Sequence, residues 1–248
     1  MQRYKVFLVA LIVCFVSSLV FADKEPKEIL VFAGAGMRAP LNESGEIIEK
    51  LYGVRILYDY GGSGRLGNKI LAGQTPDVYI PGSGKWAKIL KAKGYVEDYS
   101  PVAYHDPVII TPQRSGKVNS LDDFSDKGNR LVLGDVKACA IGEASAVIFE
   151  KAGMEESAMN IISRGFTVKQ LILWIEGNNA DAAIVWKADA IQSGRVKIIE
   201  IPVKYGIRSI IPVCLMLKRK KEANVYIHYL LSEAGRAIFK KHGFNVME

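Results

Sequence analysis

The sequence predicts an α/β fold of two lobes, each a mixed, mostly parallel sheet with flanking helices, joined by a hinge of two crossings. Three observations lead there. From Glu28 to Lys93, β-branched and aromatic runs alternate with helical patterns in the order βαβαβα, which asks for parallel strands under covering helices. Around Tyr104 to Pro107 that rhythm resets, and a second α/β series follows. A strand-like and a helix-like segment then close the chain, so the crossings fall near residues 105 and 209. A chain of 248 residues, 49% of them hydrophobic, is ample for such cores.

Glu28 to Ala33, rich in Ile, Leu, Val and Phe, reads as the first strand. Gly34 to Pro40 turns into a helix reaching about Tyr52, with Leu41, Ile47, Ile48 and Leu51 as its apolar face and Pro40 suited to a first turn. Val54 to Tyr60 is the second strand, followed by a helix to Ala72. Asp77 to Ile80 is the third, closed by Pro81-Gly82-Ser83-Gly84, and Lys85 to Lys93 is a helix capped by Gly94. In the second series, Val108 to Pro112 is a strand, Asn119 to Phe124 opens a short helix, and Arg130 to Gly134 is a strand. Asp135 to Gly142 is a loop before a helix over Glu143 to Ala152. Thr167-Val168-Lys169-Gln170 has the form of a capping box and starts a helix to Gly177. Asp181 to Trp186 and Val196 to Val203 are strands around a short helix, Lys187 to Ser193. Pro212 to Lys218 is the returning strand, and Asn224 to His242 a final helix.

The N-terminus reads as a leader. Arg3 and Lys5 precede an apolar run from Val6 to Val20, and Val20-Phe21-Ala22 supplies the small residue at a cut after Ala22. The run is short for a membrane span. Cys14 follows Val13, which disfavours lipidation. Residues 1–22 are thus set apart from a first lobe of 23–105 plus 210–248 and a second of 106–209. The formal charge of +7 suits an anion or an anionic surface, yet lysines alternate with acids and no aromatic-basic stripe points to nucleic acid. His105, His228 and His242 are scattered, with no spacing for a metal. Whether Cys139 and Cys214 pair is open at this level.

The most informative stretch is Tyr60-Gly61-Gly62-Ser63-Gly64-Arg65-Leu66. A strand breaks at two glycines, offers one hydroxyl and enters a helix. Unpaired N–H groups and the positive dipole end of a helix start make an anion cradle without a charged side chain, and Ser63 is a good N-cap. Similar corners recur. Counting Gly36, Ser63, Ile141 and Val168, four helix starts could face one cleft. Gly34-x-Gly36 after a strand is also a loose dinucleotide fingerprint, with Asp59 as a ribose acid, but export argues against a nicotinamide cofactor. Cys139 has no evident base and reads as a small buried residue rather than a nucleophile. Trp186 either lines a pocket or packs at a lobe surface.

Six stretches in order, Val31 to Gly36, Tyr60 to Gly64, Thr75 to Ile80, Leu133 to Asp135, Ala182 to Trp186 and Ile238 to Phe244, carry a resemblance to the molybdate-binding periplasmic proteins of ABC importers. The resemblance implies a type II-like periplasmic-binding-protein clamp that holds a tetrahedral oxyanion by hydroxyls and backbone N–H groups between its lobes. It implies a site of Gly36, Ser63, Ile141, Val168 and Trp186, with Ala35, Gly62, Arg38 and Ser83 beside it. Gly36 stands where the family usually has Ser, and Trp186 where many members present a Tyr hydroxyl; Arg38 or Arg65 could compensate. Expected with it are molybdate or tungstate as ligand, no cofactor, no direct metal-ion ligands and no catalysis. An ABC permease as partner, a monomer in the periplasm and no nucleic acid complete the expectation. The alternatives are sulfate, phosphate or a small organic anion in the same clamp, and a secreted enzyme using Cys139 or the Gly34-x-Gly36 turn.

Overall fold

A computed structural model describes residues 27–247. The leader expected at residues 1–22, with its cut after Ala22 and Cys14 within it, lies outside them. The first sheet contains β1 (Lys27–Gly34), β2 (Val54–Gly61), β3 (Val78–Ile80), β4 (Val96–His105), β10 (Ser209–Met216) and β11 (Asn245–Val246), in the order β11-β4-β10-β3-β1-β2. The second contains β5 (Pro107–Pro112), β6 (Leu131–Gly134), β7 (Ile161–Gly165), β8 (Ala182–Trp186) and β9 (Val196–Glu200), in the order β7-β6-β8-β5-β9. The chain crosses from one sheet to the other at Asp106 and returns between Glu200 and Ser209.

Pleating explains how one strand serves two cores. On β1, Ile29, Val31 and Ala33 face α1 (Arg38–Tyr52), α7 (Ala223–Leu231) and α8 (Glu233–Lys241), where Leu41, Ile48, Tyr226, Leu230 and Phe239 close the layer. Phe32 faces the other way, onto Leu66 and Ile70 of α2 (Ser63–Leu71) and Trp86 and Leu90 of α3 (Gly84–Ala92). The second sheet is covered by α4 (Ala140–Ala152), α5 (Val168–Glu176) and α6 (Lys187–Ser193). Its inner strands β5, β6 and β8 are buried on both faces, so Val108, Ile109 and Ile110 run on without a polar alternate.

Both sheets are mixed rather than mostly parallel. β1 pairs in parallel with β2 and β3, and β6 with β7 and β8. The strands that enter and leave the crossings, β4, β5 and β10, pair antiparallel. Three strands go beyond the sequence expectation. β4 spans Glu97, Asp98, Ser100 and Pro101, with no clean alternation; pairing with β10 creates it, with a register shift where Pro101 stands against Pro212. β7 and β11 lie at sheet edges. The expected final helix is two helices. Ser232 adopts an extended ψ of 166° and its hydroxyl accepts from Gly235 N at 3.2 Å, which starts α8 afresh. The short helix expected from Asn119 is a 3-10 turn at Asp122–Ser125.

Candidate functional site

Between the sheets lies a cavity of about 20 Å³, bordered by Gly34 to Met37, Gly61 to Ser63, Gly82, His105, Cys139, Ala140, Thr167, Val168 and Trp186. A single water needs roughly 10–15 Å³, so the cavity has room for one or two water-sized atoms. The first residues of α2, α4 and α5 (Ser63, Ala140 and Val168) all border it, as does the 3-10 turn Ala35–Met37 that precedes α1. The first N–H groups of each helix have no partner inside it. No side chain caps α2 or α4. At α5 the capping box forms as the sequence predicts, Thr167 Oγ1 accepting from Gln170 N and Gln170 Oε1 from Thr167 N. Among the described residues no carboxylate, lysine or arginine borders the cavity. Its polarity comes from dipoles, N–H groups, the Ser63 and Thr167 hydroxyls, one imidazole, one thiol and one indole.

Ser63 sits at the centre, but not as a cap. Gly62 is the N-cap and Ser63 the first helical residue. The Ser63 hydroxyl oxygen accepts from Gly82 N at 2.9 Å, and its carbonyl accepts from the Tyr79 hydroxyl at 2.7 Å. An acceptor bond to a backbone N–H leaves the hydroxyl proton free for a ligand. The glycines of this corner serve a close approach of backbone to backbone. A Cβ on Gly62 would stand 2.3 Å from the carbonyl oxygens of Ala138 and Phe166, and one on Gly64 1.9 Å from that of Lys137. Gly64 N donates to Ala138 O at 3.1 Å. These glycines let the backbone of the second half close onto the first beside the cavity.

The structure brings Gly36, Ala35, Gly62, Ser63, Val168 and Trp186 to the cavity and leaves three expected residues outside its border. Ile141 turns its side chain into the core of the second sheet, but it is expected only as a backbone donor, and its N–H lies in the first turn of α4. The helix begins one residue before it, so Ala140 holds the cavity-facing position. Arg38 is exposed and its guanidinium lies 4.2 Å over the Tyr60 ring. Arg65, named as a possible substitute, pairs with Asp59 at 3.5 Å and donates to Tyr60 O. Ser83 precedes α3, with its hydroxyl buried and unpartnered away from the cavity.

The missing hydroxyl at Gly36 has a physical cause. A Cβ there would stand 2.5 Å from Asp189 Oδ2. Asp189 is fully buried and pairs with Lys169 Nζ at 2.9 Å. Burial raises its carboxyl, and Lys169 opposes that shift. The carboxylate therefore occupies the space a serine side chain would need.

Cys139 is the N-cap residue of α4 and borders the cavity together with His105. Burial pushes its thiol up to about 12, against the N–H groups of Ile141 and Gly142. Burial pushes His105 down to about 3. Both shifts favour the neutral forms, the reverse of a thiolate–imidazolium pair. Cys139 and Cys214 are both free thiols. His105 is the residue that sequence reasoning missed. It ends a strand without an alternating signal, and only its place at the crossing of the two halves marks it. Its ring stacks on Trp186 with centroids 4.4 Å apart and planes 13° from parallel.

The profile of the family described as "Bacterial extracellular solute-binding protein" matches residues 29–245. A putative binding protein of Haemophilus influenzae is 27% identical over 224 residues, covering 88% of this chain and 90% of that protein. A putative ABC transporter substrate-binding lipoprotein of Bacillus subtilis is 24% identical over 263 residues, covering 98% of each. The molybdate-binding protein ModA of Haemophilus influenzae is 23% identical over 241 residues, covering 93% and 94%. Among solved structures, the periplasmic molybdate-binding protein of Azotobacter vinelandii superposes with a TM-score of 0.76 at 18% identity, covering 89% of this chain and 100% of that one. The sulfate-binding protein SubI of Mycobacterium tuberculosis gives 0.75 at 14% identity, covering 90% and 88%. These superpositions establish the two-sheet clamp fold.

Proposed function

Because the chain belongs to the family of bacterial extracellular solute-binding proteins, we propose that its cavity captures one tetrahedral oxyanion, molybdate or tungstate, and that the closed protein delivers it to an ABC permease. The observation that carries the reading is the convergence of the α2, α4 and α5 starts on a small cavity that no charged side chain enters. A buried dianion is costly unless it is fully hydrogen-bonded. Each charge-assisted bond contributes roughly 1.5–3 kcal/mol, so several neutral donors can offset that cost. We assign the bonds to the Ser63 hydroxyl, to N–H groups at the three helix starts and to the Trp186 indole, all on residues that border the cavity; among the described residues no acidic side chain lines it, and Asp189, behind Gly36, is paired with Lys169.

The relatives support this choice of ligand: a protein named as molybdate-binding aligns along 93% of the chain. The fold is shared with a sulfate-binding protein, so sulfate and phosphate belong in any test. We read residues 23–105 plus 210–248 and residues 106–209 as the two moving bodies, hinged at Asp106 and in the Glu200–Ser209 connection. We read the protein as an exported monomer, cut after Ala22, that binds and does not turn over its ligand. Mass spectrometry of the exported chain should show Asp23 first. Calorimetry of that chain against molybdate, tungstate, sulfate and phosphate tests the ligand. One-to-one binding, tightest for molybdate or tungstate, is expected; no heat with any of the four would refute the reading.

A further inference from the structure

We propose that His105 contacts the oxyanion and that capture of a dianion loads a proton onto its ring; this rests on the oxyanion reading above. The geometry comes from three segments. The point where a Gly82 Cβ would stand is 3.3 Å from Ala140 Cβ, 3.6 Å from Ser63 Oγ and 3.7 Å from His105 Nε2. The imidazole nitrogen and the hydroxyl therefore converge on the same side of the cavity, beside the start of α4. The ring is only 2% exposed. Trp186 fixes its plane from one side, and Phe244 packs near it with centroids 5.3 Å apart. Nδ1 is buried without a partner and Nε2 is the nitrogen beside the cavity, so Nε2 is the one a ligand can reach.

A neutral imidazole has one N–H and one bare nitrogen. Burial holds it in that form. A dianion within about 4–6 Å acts the opposite way and favours the charged ring. The titratable groups on the surrounding segments already have partners or stay neutral. Asp106 pairs with Arg208 and Asn245, Glu143 with Lys85, Asp189 with Lys169, and Glu43 with His242 and Lys241. The Cys139 thiol is held protonated by burial. His105 is thus the group free to take up a proton when negative charge arrives. The cavity would then hold a dianion against one mobile positive charge, and select dianions over monoanions.

Calorimetry with molybdate tests this, using micromolar ion between about pH 6 and pH 8, where it stays a dianion, in buffers of differing ionisation enthalpy. The wild-type protein should take up a proton on binding, with affinity rising by up to about tenfold per pH unit as pH falls. His105→Gln, which keeps a donor but cannot titrate, should lose the pH dependence. His105→Phe, which keeps the stack on Trp186 but has no donor, should bind at least about tenfold more weakly at the low end of the range. Wild-type binding without proton uptake overturns the inference, as does His105→Phe binding at wild-type affinity or a pH slope that persists in His105→Gln. Those outcomes leave the oxyanion reading standing. Wild-type protein that binds none of the oxyanions overturns both.

Discussion

The Gly82 N–H donates to the Ser63 hydroxyl oxygen at 2.9 Å, tying the corner after β3 to the first turn of α2 across the floor of the cavity. One side chain thereby has two tasks: it satisfies a buried donor and presents a proton to the ligand. Ser63→Ala removes both. The orphaned Gly82 N–H should lower stability by about 1–3 kcal/mol. Affinity should fall roughly 10- to 150-fold, the equivalent of one charge-assisted bond. Thermal melts without ligand, beside calorimetry with it, separate the two effects. A variant that melts lower yet binds as tightly would confine Ser63 to a structural task.

Gly82 itself gives a cleaner probe. Its φ is not positive, and a methyl there would meet its neighbours at 3.3–3.7 Å, close to ordinary contact. Gly82→Ala should therefore fold with a stability change under about 1 kcal/mol. The methyl nevertheless fills a cavity of about 20 Å³. Oxyanion affinity should fall by about 100-fold or more, ~2.7 kcal/mol. Unchanged binding would place the ligand elsewhere.

Cys139→Ser tests whether the thiol matters. Burial keeps the thiol protonated, and serine is a favoured residue at the helix cap that Cys139 occupies. Affinity should stay within about threefold, ~0.7 kcal/mol, and alkylation of native protein at neutral pH should be slow. Loss of binding in this variant would give the thiol a direct part in the site.

His105 also leaves a signature in stability. Its ring is held at about 3 in the folded chain against an ordinary 6.5, so the unfolded chain binds the extra proton between those values. Its contribution is present above 6.5 and is lost as pH falls toward 3, at most about 1.4 kcal/mol per pH unit. Carboxylates such as Glu43, held down by Lys241 and then His242, add their loss at lower pH. His105→Phe should flatten the melting curve against pH between about 5 and 6.5. A slope in that window equal to wild type would contradict the assignment.

The parts of the site legible in the sequence are those written in local chemistry. Tyr60-Gly61-Gly62-Ser63-Gly64 announces a strand-to-helix corner, and Thr167-x-x-Gln170 announces the start of α5. What depends on tertiary contact was not legible. Nothing local to Gly62 and Gly64 shows that the carbonyls of Lys137, Ala138 and Phe166 stand where their side chains would be. The third helix start falls at Ala140 rather than Ile141 or Glu143. Asp135 Oδ1 accepts from Lys137 N and Ala138 N, and the turn it makes delivers Cys139 as the cap one residue early. Asp135 was the available signal. β4 became a strand only through β10, and His105 came to the cavity with it.

The position of the ion itself is the most direct test. Anomalous scattering from molybdenum, in crystals grown with molybdate, locates the metal independently of any residue. One peak is predicted, inside the cavity bordered by Gly36, Ser63, Gly82, Ala140, Val168 and Trp186, with oxygens in hydrogen-bond reach of Ser63 Oγ and the starts of α2, α4 and α5. A molybdate-bound crystal whose peak lies anywhere else, with this cavity empty of it, would contradict the account.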